Sequence, residues 1–272
     1  MKSHKHRRIP FKELPKEIKT RKIITCIISL IAVASLGYFA FYCYQASDTQ
    51  GSYEHLSDLK DTDYKLFKKA RVTVDDIETP DILEDYATLY NMNKSLIGWI
   101  KIDDTLIDYP VMYSKNTDYY LNHNFNQEKD NNGSIFIDPE CSIWPRTQNI
   151  IIYGHNMKSG KMFGALKGYK QQSFMEKHPV IKFDTLYEKG EYQVMYVFEE
   201  VVHDEVEVAF KYYQFVSANS EEEFDSNMAA MAEMSLYDTG VTAKWGDPLI
   251  TLSTCDYSQG AERFVVVAKK IK

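Results

Sequence analysis

The chain has 272 residues, 44% of them hydrophobic and 14% aromatic, which supports one large domain or two small ones around a packed core and excludes disorder over most of its length. Its formal net charge of -7 is uneven: residues 1–22 hold nine Lys or Arg against Glu13 and Glu17, so this tail carries +7 and the remainder -14. The four cysteines show neither CxxC nor Cys/His zinc spacing, so a disulfide framework and a structural zinc site are both excluded as the basis of the fold.

A basic tail on an acidic body is compatible with nucleic acid, but the next segment argues for a membrane. Residues 23–44, IITCIISLIAVASLGYFAFYCY, contain no charge. At about 1.5 Å per residue they span a hydrocarbon core of about 30 Å. The basic flank precedes the span, so the positive-inside bias predicts a cytoplasmic N-terminus and an extracellular body. A cleaved signal peptide is the competing reading. The apolar run exceeds an h-region of about 7–15 residues and no A-x-A site follows it, which favours an uncleaved anchor in the lipid bilayer. No nucleic-acid partner is expected.

Residues 45–78 are polar and read as a juxtamembrane stalk or helix, and the globular body is expected over residues 79–272. TPDILEDYATLYNMN predicts a helix with Thr79 as N-cap, Pro80 at N1, and Ile82, Tyr86 and Leu89 on one face. GWIKI, LIDYPVM, SIFID, NIIIYG, VIKFDTL, YQVMYVFEEVV, PLITLST and RFVVVAK are eight strand candidates. One internal helix interrupts them at SEEEFDSNMAAMAEM, where Ser220 and Glu223 form a capping-box pattern and Phe224, Met228 and Met231 a core stripe. So many strands with so few helices predict an antiparallel sheet closed on itself, since closure removes exposed edges. The fold class is mostly β: a closed eight-stranded barrel with an N-terminal helix and a helical insertion, preceded by one transmembrane helix.

Two strand ends carry chemistry. His155 closes NIIIYGH before the glycine-bearing loop NMKSGKMFG, and Cys255 closes PLITLSTC before DYSQGAE. Rigid strand ends suit a thiol and an acid/base partner that must meet within hydrogen-bond reach. Arg263 opens the next strand, and a hairpin returns it towards Cys255, where a guanidinium could steady an oxyanion and favour the thiolate. A Cys141–Cys255 disulfide and an inert buried Cys255 stay open at this level. EKDNNGSIFIDPE offers Glu128, Asp130, Asn132 and Asp138 as oxygen donors, yet it lacks EF-hand spacing and reads as a Gly-containing hairpin turn. No cofactor or metal is expected.

NIIIYGHNM together with TLSTCDYSQGAERFVVV resembles the sortases, the cysteine transpeptidases of Gram-positive surfaces, and the likeness extends over roughly residues 91–270 through LIGWIKIDDTLIDYPVM, DYYLNH and GSIFIDPEC. The insertion at residues 215–247, placed before the Cys-bearing strand, together with the N-terminal helix and anchor, resembles class B. The resemblance implies a sortase-type barrel in which Cys255 attacks the carbonyl after Thr in the sorting signal of a surface protein and forms a thioacyl enzyme. It further implies that His155 acts as acid/base and that Arg263 holds the substrate backbone or oxyanion. Asn93, Ile97, Tyr153 and Ser253 match positions lining the family's groove. The acceptor it implies is a peptidoglycan precursor or cross-bridge amine; a pilin-polymerising sortase is the alternative, and a surface barrel with a structural Cys255 is the non-enzymatic one.

Overall fold

A computed structural model describes residues 15–60, 73–74, 77–116, 118–201, 210–255 and 262–272. The basic residues from Lys2 to Lys12, residues 61–72 and 75–76 of the expected stalk, the loop at residues 256–261 and the side chains of Cys43 and Cys255 lie outside the described residues. Two compact units result, Met1–Thr49 and Gln50–Lys272. A continuous helix, α1 (Lys16–Lys60), contributes to both.

In the first unit, the stretch Lys16–Phe41 has a mean hydropathy of 2.3 and none of it is buried. An apolar helix that finds no protein partner needs another apolar solvent, so its length and composition fit a single membrane span. The second unit begins earlier than the expected boundary at Thr79. Tyr53 and Leu56, three residues apart and therefore on one helix face, are each only 3% exposed and join the core.

All eight expected strands form: β1 (Leu96–Lys101), β2 (Asp108–Met112), β3 (Ile135–Ile137), β4 (Asn149–His155), β5 (Val180–Thr185), β6 (Glu191–Val201), β7 (Leu249–Cys255) and β8 (Glu262–Lys270). They close into a barrel of order β8-β6-β5-β1-β2-β3-β4-β7. The sheet is not wholly antiparallel. β2 pairs with β3 and β4 with β7 in parallel, because the connections between these partners cross from one end of the barrel to the other.

The expected first helix starts later than its sequence suggests. α2 (Glu84–Met92) has Leu83 as N-cap, whose N–H donates to Leu186 O at 2.8 Å, while Thr79 is buried upstream and does not cap it. Its anticipated core face holds, with Ile82, Tyr86 and Leu89 all buried. A short helix, α3 (Gln172–Lys177), lies between β4 and β5. In α4 (Glu221–Met234), Ser220 Oγ accepts from Glu223 N at 3.2 Å, and Glu223 Oε2 reaches back to Asn219 N rather than to Ser220 N. Phe224, Met228 and Met231 pack with Phe198, Leu249, Val265 and Val267 in a second core, separate from the main core of the barrel. Asn149 ties this insertion to the start of β4: its Nδ2 donates to Phe215 O at 2.8 Å and its N–H to Val216 O at 2.9 Å.

Candidate active site

Seven consecutive pairs join β4 to β7, from Asn149↔Leu249 to His155↔Cys255. The last of them sets the two expected reacting residues directly opposite each other, 100 positions apart in the chain. The antiparallel ladder between β7 and β8 runs to Val265↔Ser253, and Arg263 and Cys255 each lie two residues beyond that last pair. Residues 155, 255 and 263 thus converge at one end of three adjacent strands.

The approach to His155 is shaped by Gly154. A Cβ there would fall 2.8 Å from the Phe163 ring, so only glycine lets the strand end lie against this aromatic. His155 is half-buried, and its Nε2 lies 2.6 Å from Leu121 O. A carbonyl only accepts, so Nε2 carries the proton, and Nδ1 is the nitrogen left to exchange one with a reacting group. The His155 carbonyl accepts from Phe163 N at 3.0 Å, which pins the backbone beyond the strand end.

Arg263 is held by its neighbour strand. Phe264 N donates to the hydroxyl of Thr254 at 2.9 Å, and the Thr254 carbonyl accepts from Arg263 Nη1 at 3.1 Å. The buried threonine therefore takes the two strands' hydrogen bonds in a way that orients a guanidinium at the barrel mouth. Beside it opens a cavity of about 230 Å³ lined by Asn156, Thr254, Arg263 and Phe264, with Glu199 and Glu262 on its rim. Glu199 is paired with Lys170.

The remaining expected residues divide. Ile97 and Tyr153 are half-buried, and the Tyr153 hydroxyl donates to Asp138 Oδ2 at 3.0 Å. Asn93 is 3% exposed and committed to the backbone: Nδ2 donates to Phe125 O at 2.6 Å and Oδ1 accepts from Ser95 N at 2.9 Å. Ser253 is fully buried, with its hydroxyl 2.8 Å from Tyr212 Oη. Cys141 is a free, buried thiol, which removes the disulfide alternative. Its Sγ accepts from Ile151 N at 3.3 Å, and burial pushes its pKa up to about 12. In the loop before β3, Asp130 Oδ1 accepts from the Asn132 N–H and amide, the pattern of a turn. Sequence reasoning missed the carbonyls of Leu121 and Thr254, because every residue has a carbonyl and only the fold selects one.

The family model described as Sortase domain matches residues 100–271. Sortase B of Listeria monocytogenes is 31% identical over 92% of this chain and 99% of its own length. Sortase B of Staphylococcus aureus is 34% identical over 69% of this chain and 75% of its own. A solved Staphylococcus aureus sortase B-substrate complex superposes with a TM-score of 0.72 at 29% identity, covering 84% of this chain and 99% of that one. With a barrel, a helical insertion and a His-Cys ladder already evident, these likenesses place the chain in the sortase family of cysteine transpeptidases, and within it in class B.

Proposed function

We propose that this sortase is held by residues 23–44 in the cell membrane, N-terminus inside, and that residues 50–272 act outside as a transpeptidase on the sorting signals of surface proteins. Cys255 gives its thiol proton to His155 Nδ1 and attacks the carbonyl carbon of the Thr; as the C–N bond breaks the leaving amine takes that proton, and the acyl group stays on sulfur as a thioester. An amine of the cell-wall peptidoglycan then gives up a proton to His155 Nδ1 and adds to the thioester; the C–S bond breaks and the departing sulfur takes the proton back, which restores the enzyme. The proton on Nε2 is committed to Leu121 O, so both transfers run through Nδ1.

Arg263 supplies a planar pair of donors where the tetrahedral oxyanion develops, and Thr254 O holds its other edge. Ile97 and Tyr153 line the peptide groove, while Asn93 and Ser253 shape it from beneath. The observation carrying this reading is the His155↔Cys255 register with Arg263 anchored one residue away.

The test is incubation of the protein with a library of sorting-signal peptides and a peptidoglycan-type amine, followed by mass spectrometry. Cleavage after Thr, a thioacyl adduct on Cys255 and transfer to the amine are expected, and Cys255→Ala should abolish all three while leaving the melting curve near wild type. Turnover retained in Cys255→Ala would refute the mechanism.

A further inference from the structure

The helix that leaves the apolar stretch does more than enter the core, because Tyr53 on it reaches two segments that hold His155. Tyr53 is 3% exposed, its hydroxyl donates to Gly133 O at 3.0 Å, and it lies 3.2 Å from Ser134 Oγ. Gly133, at φ +60°, packs on the carbonyls of Tyr120 and Leu121; a Cβ there would fall 2.7 Å from Leu121 O, the atom that receives His155 Nε2–H. Ser134 locks the same segment, its N–H donating to Tyr120 O at 2.8 Å and its hydroxyl to His123 O at 2.9 Å.

A second route runs through the ring. Tyr53 meets Tyr109 edge to face at 5.3 Å between centroids, and the Tyr109 hydroxyl accepts from Met162 N at 3.1 Å. Met162 bridges Asn156, the residue after His155, and its neighbour Phe163 donates to His155 O. One route therefore ends on the imidazole and the other on its backbone.

We propose that Tyr53 is a positioning residue for His155, fixing through Gly133 the carbonyl that holds Nε2–H and through Tyr109 the turn that follows the imidazole. The proposal rests on His155 being the acid/base of the transpeptidase. It makes the first turns of the catalytic unit, continuous with the apolar helix, part of what sets the histidine tautomer. Loss of the Tyr53 hydroxyl frees Gly133 and lets the Leu121 carbonyl drift, so the proton distributes between Nε2 and Nδ1 and fewer molecules present Nδ1 as acceptor.

The experiment uses the full chain in detergent micelles, with ¹⁵N-labelled imidazoles, as wild type, Tyr53→Phe, Ser134→Ala and Leu56→Ala. Long-range ¹H–¹⁵N spectra are expected to show His155 as the Nε2–H tautomer in wild type and as a mixture in Tyr53→Phe and Ser134→Ala, with kcat on a sorting peptide about tenfold lower and KM within about twofold. Leu56→Ala, which removes core volume from the same helix face, should lower the melting temperature and leave the tautomer unchanged. Should Tyr53→Phe not fold, Ser134→Ala carries the test alone. A His155 spectrum in the folded variants identical to wild type overturns the proposal, as does an equal tautomer change in Leu56→Ala. The imidazole signal needs no turnover, so failure of the wild type to cleave any peptide would count against the transpeptidase reading and leave this test intact.

Discussion

Arg263 and Cys141 show what single side chains contribute. The guanidinium is a rigid fork with one edge on Thr254 O, whereas an ammonium at the same place is a mobile point charge. Arg263→Lys is therefore expected to keep the local charge and still lose roughly 10²-fold in kcat/KM on a sorting peptide, as oxyanion donors do when removed. Near-full activity in the lysine variant would reassign Arg263 to general support of the thiolate. The two cysteines of the body should separate by reactivity: a methanethiosulfonate reagent at pH 7.5 is expected to modify Cys255 and to spare Cys141, whose neutral thiol is enclosed and bonded to the strand backbone. Modification of Cys141 in the folded protein would show that the β3–β4 region opens. His155, Cys255 and Arg263 drew attention in the chain because each sits where a hydrophobic run meets a polar loop, and the strand register sets the first two opposite each other. Asn93 looked the same on paper as any groove residue, and only its two backbone partners reveal that it holds up a turn.

Among elements, α1 divides into an apolar half and a half that belongs to the catalytic unit. Chains beginning at Gln50 should be soluble and folded, because they keep Tyr53 and Leu56 in the core. Chains beginning at residue 61 lose both and should be destabilised by at least about 3 kcal/mol, the scale of one large buried side chain removed. Denaturant unfolding of the two truncations checks this; equal midpoints would mean the helix end is dispensable. Residues 50–60 read as a stalk or helix outside the globular body, because two core contacts in a polar stretch make no periodic stripe. α4, by contrast, carried three apolar residues at helical spacing behind a capping serine, and formed where expected. α2 was found but misplaced by several residues, since the Leu83–Leu186 backbone bond sets its start and leaves no trace in local composition.

For the molecule as a whole, stability depends on protons that the fold withholds. Burial raises the pKa of Tyr109, Tyr237 and Cys141 to about 12, and raises those of Tyr53 and Tyr169 further. The unfolded chain releases these protons near 9 for the thiol and near 10 for the phenols, while the folded protein still holds them. Stability is thus unaffected by these groups at neutral pH and falls as pH climbs from about 9 towards 12, by up to about 1.4 kcal/mol per unit for each enclosed group and by less for Tyr237, whose exposure lets solvent screen it. Thermal unfolding from pH 7 to 11 should show a plateau and then a decline; a flat profile to pH 11 would mean that these groups are solvated. The barrel itself was readable, because each strand is a short apolar run between turn residues. Its parallel pairs were not, because a strand's partner depends on where the intervening connection delivers it.

The β4–β7 ladder also has a meaning in time. Every residue of β4, His155 included, is synthesised before Leu249, the first residue of the strand that will lie beside it. Contacts between such distant segments form late in folding, since a long loop must close before any of them is rewarded. A chain interrupted between β4 and β7 therefore carries the histidine without its opposite residue, and a chain that has reached Cys255 gains the pair only once the two strands meet in register. Competence for chemistry is thus expected to come late in assembly, with the strands that bring Cys255 and Arg263 to the end of β4.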